Sequence, residues 1–365
     1  MTGSTDEDTL ARIRRVVLAG VQSPSAGNWH PWFFERDGTS LKIHFEPKRV
    51  ESEFDSQNFL SVFTLGMVIE SMVVAASAEG FESEGVIEPD GWQTATAPRV
   101  LCATVRLTEA EVTPDPLSSA IYARVTDRRV PAGGSIQDSV FQAMRRSAEA
   151  HESLRLYLVT AVVDGVVQYM RRQDWAMRQV RALFAFILRP MRLTDASANR
   201  TRDGVSWRNF GFGRITSLIV AIGRALPFGA MRWLSRKFDE SGPSPMRGSR
   251  VLGCVTVRAL DTGTLVDAGR LSMRNWLQLT RAGYVIRPHG GPTLLLYMER
   301  KRALTAGVAD VMGDSIERGH RSMSEMFGFG ADETPVWLFT CGTPRTAFPA
   351  IARTLRRRLE DTYSE

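Results

Sequence analysis

Apolar residues recur along the chain in two spacings, one typical of helices and one typical of strands. Arg12 to Gln22 carries its apolar residues on one helical face, and the apolar stretches Trp32 to Glu35 and Leu41 to Phe45 flank Arg36-Asp37-Gly38. This pattern predicts an amphipathic helix followed by a β-hairpin with Arg36-Asp37-Gly38 as its turn. The first hundred residues therefore indicate a unit that mixes helix and strand.

Two segments share one order of features: a glycine, a helix-length apolar run, a second glycine, a short apolar stretch and a proline. These features are Gly66, Gly80 and Pro89 in one segment and Gly269, Gly283 and Pro288 in the other. The equal spacing of the glycines predicts two long helices that each end at a C-cap glycine and turn into a strand. Such a repeat indicates an internal duplication.

Further elements fall into register around these two helices. They are the strand Val100 to Leu107 in the first copy and, in the second, the helix Ile136 to Ala148 and the strands Leu154 to Thr160, Val251 to Val257 and Val336 to Cys341. We predict an α+β fold of two units, residues 1–113 and 114–365, each with a mixed sheet flanked by long helices, joined near Pro114-Asp115-Pro116. A helical insertion at about 165–245 belongs to the second unit. A single chain then takes the place of two subunits related by a two-fold axis, and we expect the ligand-binding site in the cleft between the units.

Composition narrows the class of protein. Of 365 residues, 43% are hydrophobic and 24% are charged, as in soluble globular proteins and unlike disordered or collagen-like chains. The net charge is +6, and residues 171–240 hold 14 Lys or Arg against five Asp or Glu. Long apolar stretches separate these arginines, so we expect no nucleic-acid partner. Helices with a core face and a charged face are the simplest interpretation of this segment.

The sequence lacks the patterns of a secretion signal, a transmembrane helix and a metal site. The N-terminus carries Asp6, Glu7 and Asp8 and no apolar leader, and the apolar run Ile215 to Gly223 is closed off by arginines at both ends. The three cysteines lie far apart, and no two histidines have helical spacing. We therefore expect a cytoplasmic protein with reduced thiols, no transmembrane helix and no metal site.

Two polar stretches could carry chemistry. The first, Ser23 to Trp32, is a loop rich in Ser, Pro, Gly and Asn that leads into an aromatic strand, and its hydroxyl, amide and N–H groups suit a flat heterocycle. In the second, Arg124, Thr126 and Arg128 alternate, so that in extended structure they share a face and suit a phosphate monoester. A plain turn and a solvated run of charges are the alternatives for these two stretches.

Both stretches resemble motifs of the nitroreductase superfamily of flavin enzymes. Pro24-Ser25, Asn28 and Pro31-Trp32 match its P-S-x-x-N-x-x-P-W loop, and Arg124, Thr126 and Arg128 match its phosphate-binding R-x-[ST]-x-R motif. The two long helices and the segment from Cys341-Gly342-Thr343-Pro344 to Arg353 also resemble this superfamily. The chain is most similar to fused members in which two units form a pseudo-dimer.

The resemblance implies one non-covalently bound FMN per chain, at the interface of the two units. It places the phosphate at Arg124, Thr126, Arg128 and, more weakly, Arg353. Ser25 and Asn28 would reach the flavin from the opposite unit, and the backbone of Pro288, His289 and Gly290 would pass its reactive edge. His30 stands where many members have glutamine. No side chain is singled out as catalytic, because the flavin carries the hydride.

The sequence thus predicts an FMN-dependent oxidoreductase that acts on a small organic substrate, with NAD(P)H as a candidate electron donor. A flavin-sequestering protein without turnover is one alternative. A membrane-surface flavoprotein is another, because aromatic residues accompany arginines in residues 171–240; they are Phe184, Phe186, Trp207, Phe210, Phe212, Phe228 and Trp233. The active form is predicted to be a monomeric pseudo-dimer or a homodimer.

Overall fold

The computed structural model of the chain describes residues 3–129, 131–132, 135–209, 214–235 and 251–365. Its helices are α1 (Gly3–Gln22), α2 (Phe59–Ala78), α3 (Ala120–Ala123), α4 (Asp138–Glu149), α5 (Asp164–Gln179), α6 (Arg181–Leu188), α7 (Asp195–Thr201), α8 (Arg214–Ala225), α9 (Phe228–Ser235), α10 (Thr262–Arg281), α11 (Gly290–Arg300), α12 (Ala306–Met312) and α13 (Ser315–Phe327). Its strands are β1 (Trp32–Asp37), β2 (Ser40–Phe45), β3 (Phe81–Ile87), β4 (Val100–Glu109), β5 (Leu154–Val159), β6 (Met191–Arg192), β7 (Val205–Ser206), β8 (Val251–Val257), β9 (Val285–Pro288), β10 (Thr334–Gly342) and β11 (Tyr363–Ser364). The mixed α+β architecture that the sequence predicts is confirmed.

The strands form two larger sheets. One has the order β11-β1-β2-β4-β3 and the other the order β5-β8-β10-β9. Neighbouring strands in both sheets are antiparallel except β1 and β11, which are parallel. The buried faces of both sheets and the helices that cover them contribute to one hydrophobic core.

The first hairpin is shorter at its turn than the sequence predicts. Asp37 pairs with Ser40, so the turn consists of Gly38 and Thr39 rather than Arg36-Asp37-Gly38. Gly38 has φ 63°, a left-handed conformation that glycine adopts without steric cost. A two-residue loop matches the twist of paired strands better than a longer one, which explains why β1 continues through Asp37.

The long helices α2 and α10 cross with their backbones in contact. A Cβ atom on Gly66 would lie 1.9 Å from the carbonyl oxygen of Val266, and one on Gly269 would lie 1.9 Å from the carbonyl oxygen of Phe63. The two contacts are reciprocal, because each glycine faces the carbonyl group three residues before the other glycine. Both helices are followed by a glycine with positive φ, as the sequence predicts, and then by β3 or β9.

Helix α2 is long and apolar enough to cross a membrane, with a mean hydropathy of 2.0 over its most apolar window. That window is 89% buried inside the protein, and a helix in a protein core meets the same test of length and composition. The qualifying stretch is therefore α2 and not Ile215–Gly223, which the sequence puts forward. Glu70 lies near the middle of α2 and divides its apolar residues into two shorter uncharged runs.

The C-terminal segment joins the two sheets. It leaves β10, which lies in the second sheet, and ends in β11, which pairs with β1 of the first sheet. In the other direction, Thr126 forms an isolated parallel bridge with Ile286 of β9. The segments before β1, around Thr126 and before β11 consequently meet between the two sheets.

The predicted insertion at 165–245 is mostly helical in its described part. It contains α5 to α9 and a two-stranded parallel pair of β6 and β7. The sequence predicts one break, at Asp203-Gly204, but the helices are also interrupted near Val180 and Pro190. At Gly204 the chain passes so close to β6 that a Cβ atom would lie 2.4 Å from the carbonyl oxygen of Pro190. Phe210, Phe212 and residues 236–245 lie outside the described residues.

Candidate functional site

The loop between α1 and β1 is held in a tight, unusual conformation. Gly27, Asn28 and His30 all have positive φ, and the last two are buried. The backbone N–H of His30 donates to the Ser25 hydroxyl at 3.0 Å, which closes the loop on itself. A non-glycine residue in this conformation costs about 1–3 kcal/mol, a strain that concentrates at functional sites.

The Asn28 side chain connects this loop to two distant parts of the chain. Its Nδ2 donates to the carbonyl oxygens of Gly204, at 2.7 Å, and Leu355, at 2.9 Å. Its Oδ1 lies 2.8 Å from His30 Nε2 and also accepts from Arg356. The Asn28 amide therefore binds the insertion and the C-terminal segment at once.

Three arginines lie together beside this loop, and we call Arg124, Arg353 and Arg356 the arginine cluster. Arg124 is 5% exposed, donates to the carbonyl oxygen of Gln22 at 2.8 Å and lies 4.6 Å from the centre of the Trp276 ring. Arg353 donates to the carbonyl oxygens at positions 122 and 123. In the described part of the chain, the hydrogen bonds of the cluster go to carbonyl, amide and hydroxyl oxygens and none goes to a carboxylate.

The charges of the arginine cluster repel one another in a poorly solvated place. Burial lowers the pKa of Arg124 well below its usual value, and the nearby charges of Arg356 and Arg353 lower it further. Burial, and then the charge of Arg353, lowers the pKa of Arg356 to about 10. The Nε atoms of Arg124 and Arg356 are buried without a hydrogen-bond partner among the described residues. Such a cluster suits a bound anion, which would accept these bonds and offset the repulsion.

Arg128 does not share the neighbours of Arg124. It donates to the Asn209 side chain, whose amide in turn donates to the backbone oxygens of Thr126, at 3.2 Å, and Ala352, at 3.3 Å. Burial, and then the charge of Arg287, lowers the pKa of Arg128 to about 10. The sequence motif therefore supplies two arginines to the same cleft, one near Arg356 and one near Arg287.

His289 is a buried, neutral histidine at the end of β9. Its backbone N–H donates to the carbonyl oxygen of Leu338 at 2.7 Å, and its Nε2 lies 3.0 Å from the Thr340 hydroxyl. Burial, followed by the charges of Arg287 and Arg128, lowers its pKa to about 3. His289 therefore lies at the Arg128 end of the cleft.

The neighbours of His289 flank the same position. Pro288 pairs with Phe339 in the second sheet, and Gly290 is the first residue of α11. At the next residue, Gly291, a Cβ atom would lie 1.6 Å from the Gln173 side chain, so the insertion helix α5 packs directly on this turn. The Pro288-His289-Gly290 segment is thus covered by the insertion.

The structure brings most of the sequence-predicted residues together in two adjoining groups, and it adds residues that sequence reasoning missed. Ser25, Asn28, Arg124 and Arg353 meet around Arg356, while Thr126, Arg128 and His289 meet around Asn209 and Arg287. The missed residues are Arg356, Asn209 and Arg287. The run Arg356-Arg357-Arg358 was a signal for the first, whereas nothing in the sequence connects Asn209 with Thr126.

Comparison with known proteins returns only solved structures. No protein-family model matches the chain, and no curated protein matches it. A nitroreductase with bound FMN from Desulfitobacterium hafniense DCB-2 is 13% identical, with a TM-score of 0.36, over 65% of this chain and 93% of its own. An FMN- and NADPH-dependent nitroreductase from Sphigopyxis sp. strain HMH is 12% identical, with a TM-score of 0.35, over 69% and 99%.

A putative NADH oxidase from Clostridium acetobutylicum is 8% identical, with a TM-score of 0.31, over 66% of this chain and 96% of its own. About a third of the present chain thus lies outside each match. Two of the three are named as nitroreductases, the family that the sequence motifs resemble. At these TM-scores, what the chain does has to be inferred from its own residues.

Proposed function

We propose that the chain is an FMN-dependent oxidoreductase of nitroreductase type, with one FMN bound beside the Ser23–His30 loop and the arginine cluster, which contact each other through Asn28 and Arg356. The observation that carries this proposal is the arginine cluster: Arg124 and the Arg356 Nε atom are buried, the three charges repel one another, and the described residues supply no carboxylate partner. A structural role would favour pairing of these guanidinium groups, because a buried unpaired charge costs several kcal/mol. A ligand with a dianionic phosphate provides the missing charge.

The residues present fit the phosphate end of FMN. The Nε atoms of Arg124 and Arg356 have no partner among the described residues, and Arg353 lies at the exposed rim of the cluster. Guanidinium groups bind phosphate oxygens with paired, directional hydrogen bonds. Arg124, Arg353 and Arg356 would hold the phosphate, and Thr126 and Arg128 would line the cleft beyond it.

When bound, FMN supplies hydride transfer to or from a substrate. The chain provides the surroundings: Ser25 and Asn28 on one side of the cleft, and Pro288, His289 and Gly290 on the other. His289 is neutral at physiological pH, because its pKa is lowered to about 3, so it adds no positive charge to a cleft that already holds five arginines. The helix α5 limits access of water to this end of the cleft.

The same cleft supports the proposal that two fused units form a pseudo-dimer, residues 1–113 and 114–365. The reciprocal contact of Gly66 with Val266 and Gly269 with Phe63 is what a two-fold axis between equivalent helices requires. The crossing of the C-terminal segment to the first sheet is a second link between the units. The insertion at 165–245 has no counterpart in the first unit.

One observation favours a second candidate function, a flavin-sequestering protein without turnover. The insertion contacts the site directly, since Gly204 accepts from the Asn28 amide and Asn209 bridges Thr126 and Arg128. A segment that covers the cleft in this way could keep a bound flavin from reacting. Location in the cytoplasm, the absence of a nucleic-acid partner and the state of assembly stay predictions.

FMN binding is tested with Arg124→Gln and a matched control, Arg270→Gln, in which the altered arginine lies on α10 and pairs with Glu70. Loss of one partner from a desolvated charge pair costs about 2–5 kcal/mol. Arg124→Gln should therefore lose FMN on desalting, whereas wild type and the control keep about one FMN per chain by absorbance. Equal FMN content in both variants would contradict the phosphate assignment, and a wild type that takes up no FMN would contradict the proposal.

Turnover separates the two candidates. In an oxidoreductase, NAD(P)H added without oxygen should bleach the visible flavin band within seconds to minutes, and an added acceptor should restore it. A flavin store should stay oxidised. If photoreduced flavin is reoxidised promptly by small acceptors but NAD(P)H has no effect, the proposed electron donor is wrong and the oxidoreductase assignment stands.

A further inference from the structure

Large apolar side chains are exposed together on one part of the insertion. Among the described residues, seven large hydrophobic side chains are exposed, and four of them lie between positions 218 and 233. These four are Leu218 (60% exposed), Ile222 (54%), Leu226 (40%) and Trp233 (62%). We call them the α8–α9 surface. Single exposed hydrophobic residues are ordinary, but a group of this size within two successive helices marks an interaction site.

The geometry of the two helices explains why these residues point outward together. Leu218 and Ile222 are four residues apart in α8 and therefore lie on one face of it. On the inner side, Gly223 is buried and the Phe228 ring lies 5.9 Å from that of Phe184. The helices are thus anchored to the protein by one side and present the other to solvent.

The charge of residues 204–238 indicates what kind of partner the α8–α9 surface binds. From position 204 to position 238 the sequence contains five arginines and one lysine and no aspartate or glutamate. Arg224 and Arg232 lie within α8 and α9, beside the exposed apolar side chains. Within α8 and α9 the charged residues are all cations, whereas Glu51 and Glu53 line the cavity beside them. An apolar face on such cationic helices complements a surface that is apolar inside and anionic outside.

We propose that the α8–α9 surface docks the protein onto a membrane leaflet that contains anionic lipids. Leu218, Ile222, Leu226 and Trp233 would enter the boundary between headgroups and acyl chains, while the arginines bind headgroup phosphates. The helices have 12 and 8 residues, and a spanning helix needs about 20, so they lie in the interface and do not cross it. A second copy of the chain fits less well, because it would bring the same positive charges face to face.

The residues involved differ from those that the sequence suggests. Phe184, Phe186 and Phe228 are not exposed, and Phe186 stacks edge-on against Phe54. Phe186 therefore attaches the insertion to the rest of the protein, whereas the Phe184 and Phe228 rings contact each other within the insertion. Of the predicted set, Trp233 alone is among the strongly exposed side chains of the described part.

The α8–α9 surface also borders a cavity of about 900 Å³. The cavity is lined on one side by Arg224, Leu226 and Phe228 and on the other by Trp29 and Val50. Trp29 belongs to the Ser23–His30 loop, so docking at the α8–α9 surface would hold this cavity close to the lipid headgroups.

The test is flotation of purified protein with two kinds of vesicle, phosphatidylcholine alone and phosphatidylcholine mixed with phosphatidylglycerol. Wild type should float with the anionic vesicles, less at high salt, and stay behind with the neutral ones. The double variant Leu218→Asp/Ile222→Asp should bind at least about tenfold more weakly. Val163→Asp is the matched control, since Val163 is 38% exposed outside the α8–α9 surface and should bind as wild type does.

A second variant tests the proposal independently, in case Leu218→Asp/Ile222→Asp does not fold. Arg224→Gln keeps the apolar face and should reduce binding to anionic vesicles about fivefold, with thermal unfolding unchanged. The proposal is overturned if wild type fails to float with anionic vesicles, or if it binds both kinds equally and without dependence on salt. It is also overturned if Leu218→Asp/Ile222→Asp converts a wild-type dimer into a monomer, because the surface would then be an interface between copies. Neither result depends on FMN, so the outcome is separate from that of the proposed function.

Discussion

Two groups of arginines in this molecule have opposite surroundings. Where α2 crosses α10, Arg270 and Arg274 bind the two carboxylate oxygens of Glu70, at 3.3 and 2.6 Å, and Arg274 also binds Asp115 at 3.0 Å. In the arginine cluster of the cleft, the described residues supply no carboxylate.

The presence or absence of a carboxylate partner distinguishes arginines with a structural role from arginines that are suited to bind a ligand. The carboxylates of Glu70 and Asp115 raise the pKa of Arg274, although burial lowers it, and the net direction is upward. In the cleft, burial and like charges act in the same direction and lower the pKa of Arg124. Charge is therefore balanced within the chain at the helix crossing, and has to be balanced by something else in the cleft.

The largest effect is expected at the helix crossing, for Glu70→Gln. Its side chain is 4% exposed and is shared by two arginines, so its removal leaves Arg270 and Arg274 without their main partner. Removal of one partner of a buried pair costs about 3–5 kcal/mol, and we expect the lower end because both arginines are one-third exposed. Urea unfolding of FMN-free protein gives the value, with Glu84→Gln on the surface as control; equal stability of the two variants would contradict the comparison.

Gly66→Ala should destabilise the same crossing by about 3 kcal/mol. The new methyl group would meet the Val266 carbonyl at 1.9 Å, and overpacking against rigid backbone typically costs about 1–3 kcal/mol. Gly269→Ala should cost a similar amount if the crossing is two-fold symmetric. Gly229→Ala, which meets nothing within 4 Å, should leave the unfolding free energy unchanged or raise it slightly. A large difference between the Gly66 and Gly269 variants would argue against equivalent helices.

The stability of the folded chain should depend on pH through His289, whose pKa is lowered by burial and then by the charges of Arg287 and Arg128. This pKa is lowered from the usual 6.5 to about 3. Between these two pH values the imidazole is therefore protonated in the unfolded chain and neutral in the folded chain. Stability is therefore fully present above pH 6.5 and falls as pH is lowered toward 3, by about 2 kcal/mol at pH 5 relative to pH 7.

The variant His289→Gln should remove that part of the pH dependence. Burial raises the pKa of Asp55 to about 6, which acts in the opposite direction by favouring the folded state at low pH. Burial also lowers the pKa of His30, which acts in the same direction as His289. Both contributions cancel when the two proteins are compared at each pH. Parallel stability curves for wild type and His289→Gln would show that His289 is protonated alike in both states.

The smallest effect is expected for Arg356→Gln in the FMN-free protein, and it has the opposite sign. Removal of one of three mutually repelling charges should raise the unfolding free energy by about 1 kcal/mol or leave it unchanged, unlike Glu70→Gln. Sodium sulfate should stabilise wild type more than Arg356→Gln at equal ionic strength, because the anion binds the cluster. A loss of stability as large as that of Glu70→Gln would mean that the cluster is paired after all.

The two long helices could be predicted well from the sequence, their backbone contact could not, and the cleft could be predicted only in part. Glycines repeated at equal spacing identify α2 and α10, because a backbone contact and a C-cap both select glycine over other residues. The motif residues Ser25, Asn28, Arg124 and Arg128 could be identified because the signals are local. Asn209 could not, because it comes from a distant segment of the chain that carries no motif connecting it with Thr126.

The sequence by itself determined the elements: the positions of most helices and strands, the repeat of a long helix that is followed by a glycine, and the excess of arginine in one insertion. These depend on local periodicity and on backbone preferences of single residues, which act over a few positions. Only the tertiary structure decided which charges meet. It paired Glu70 with Arg274 across 204 residues and left Arg124 beside Arg356 without a carboxylate among the described residues. Electrostatic energy depends on distance and burial, and neither is set until the two sheets and the C-terminal segment have come together.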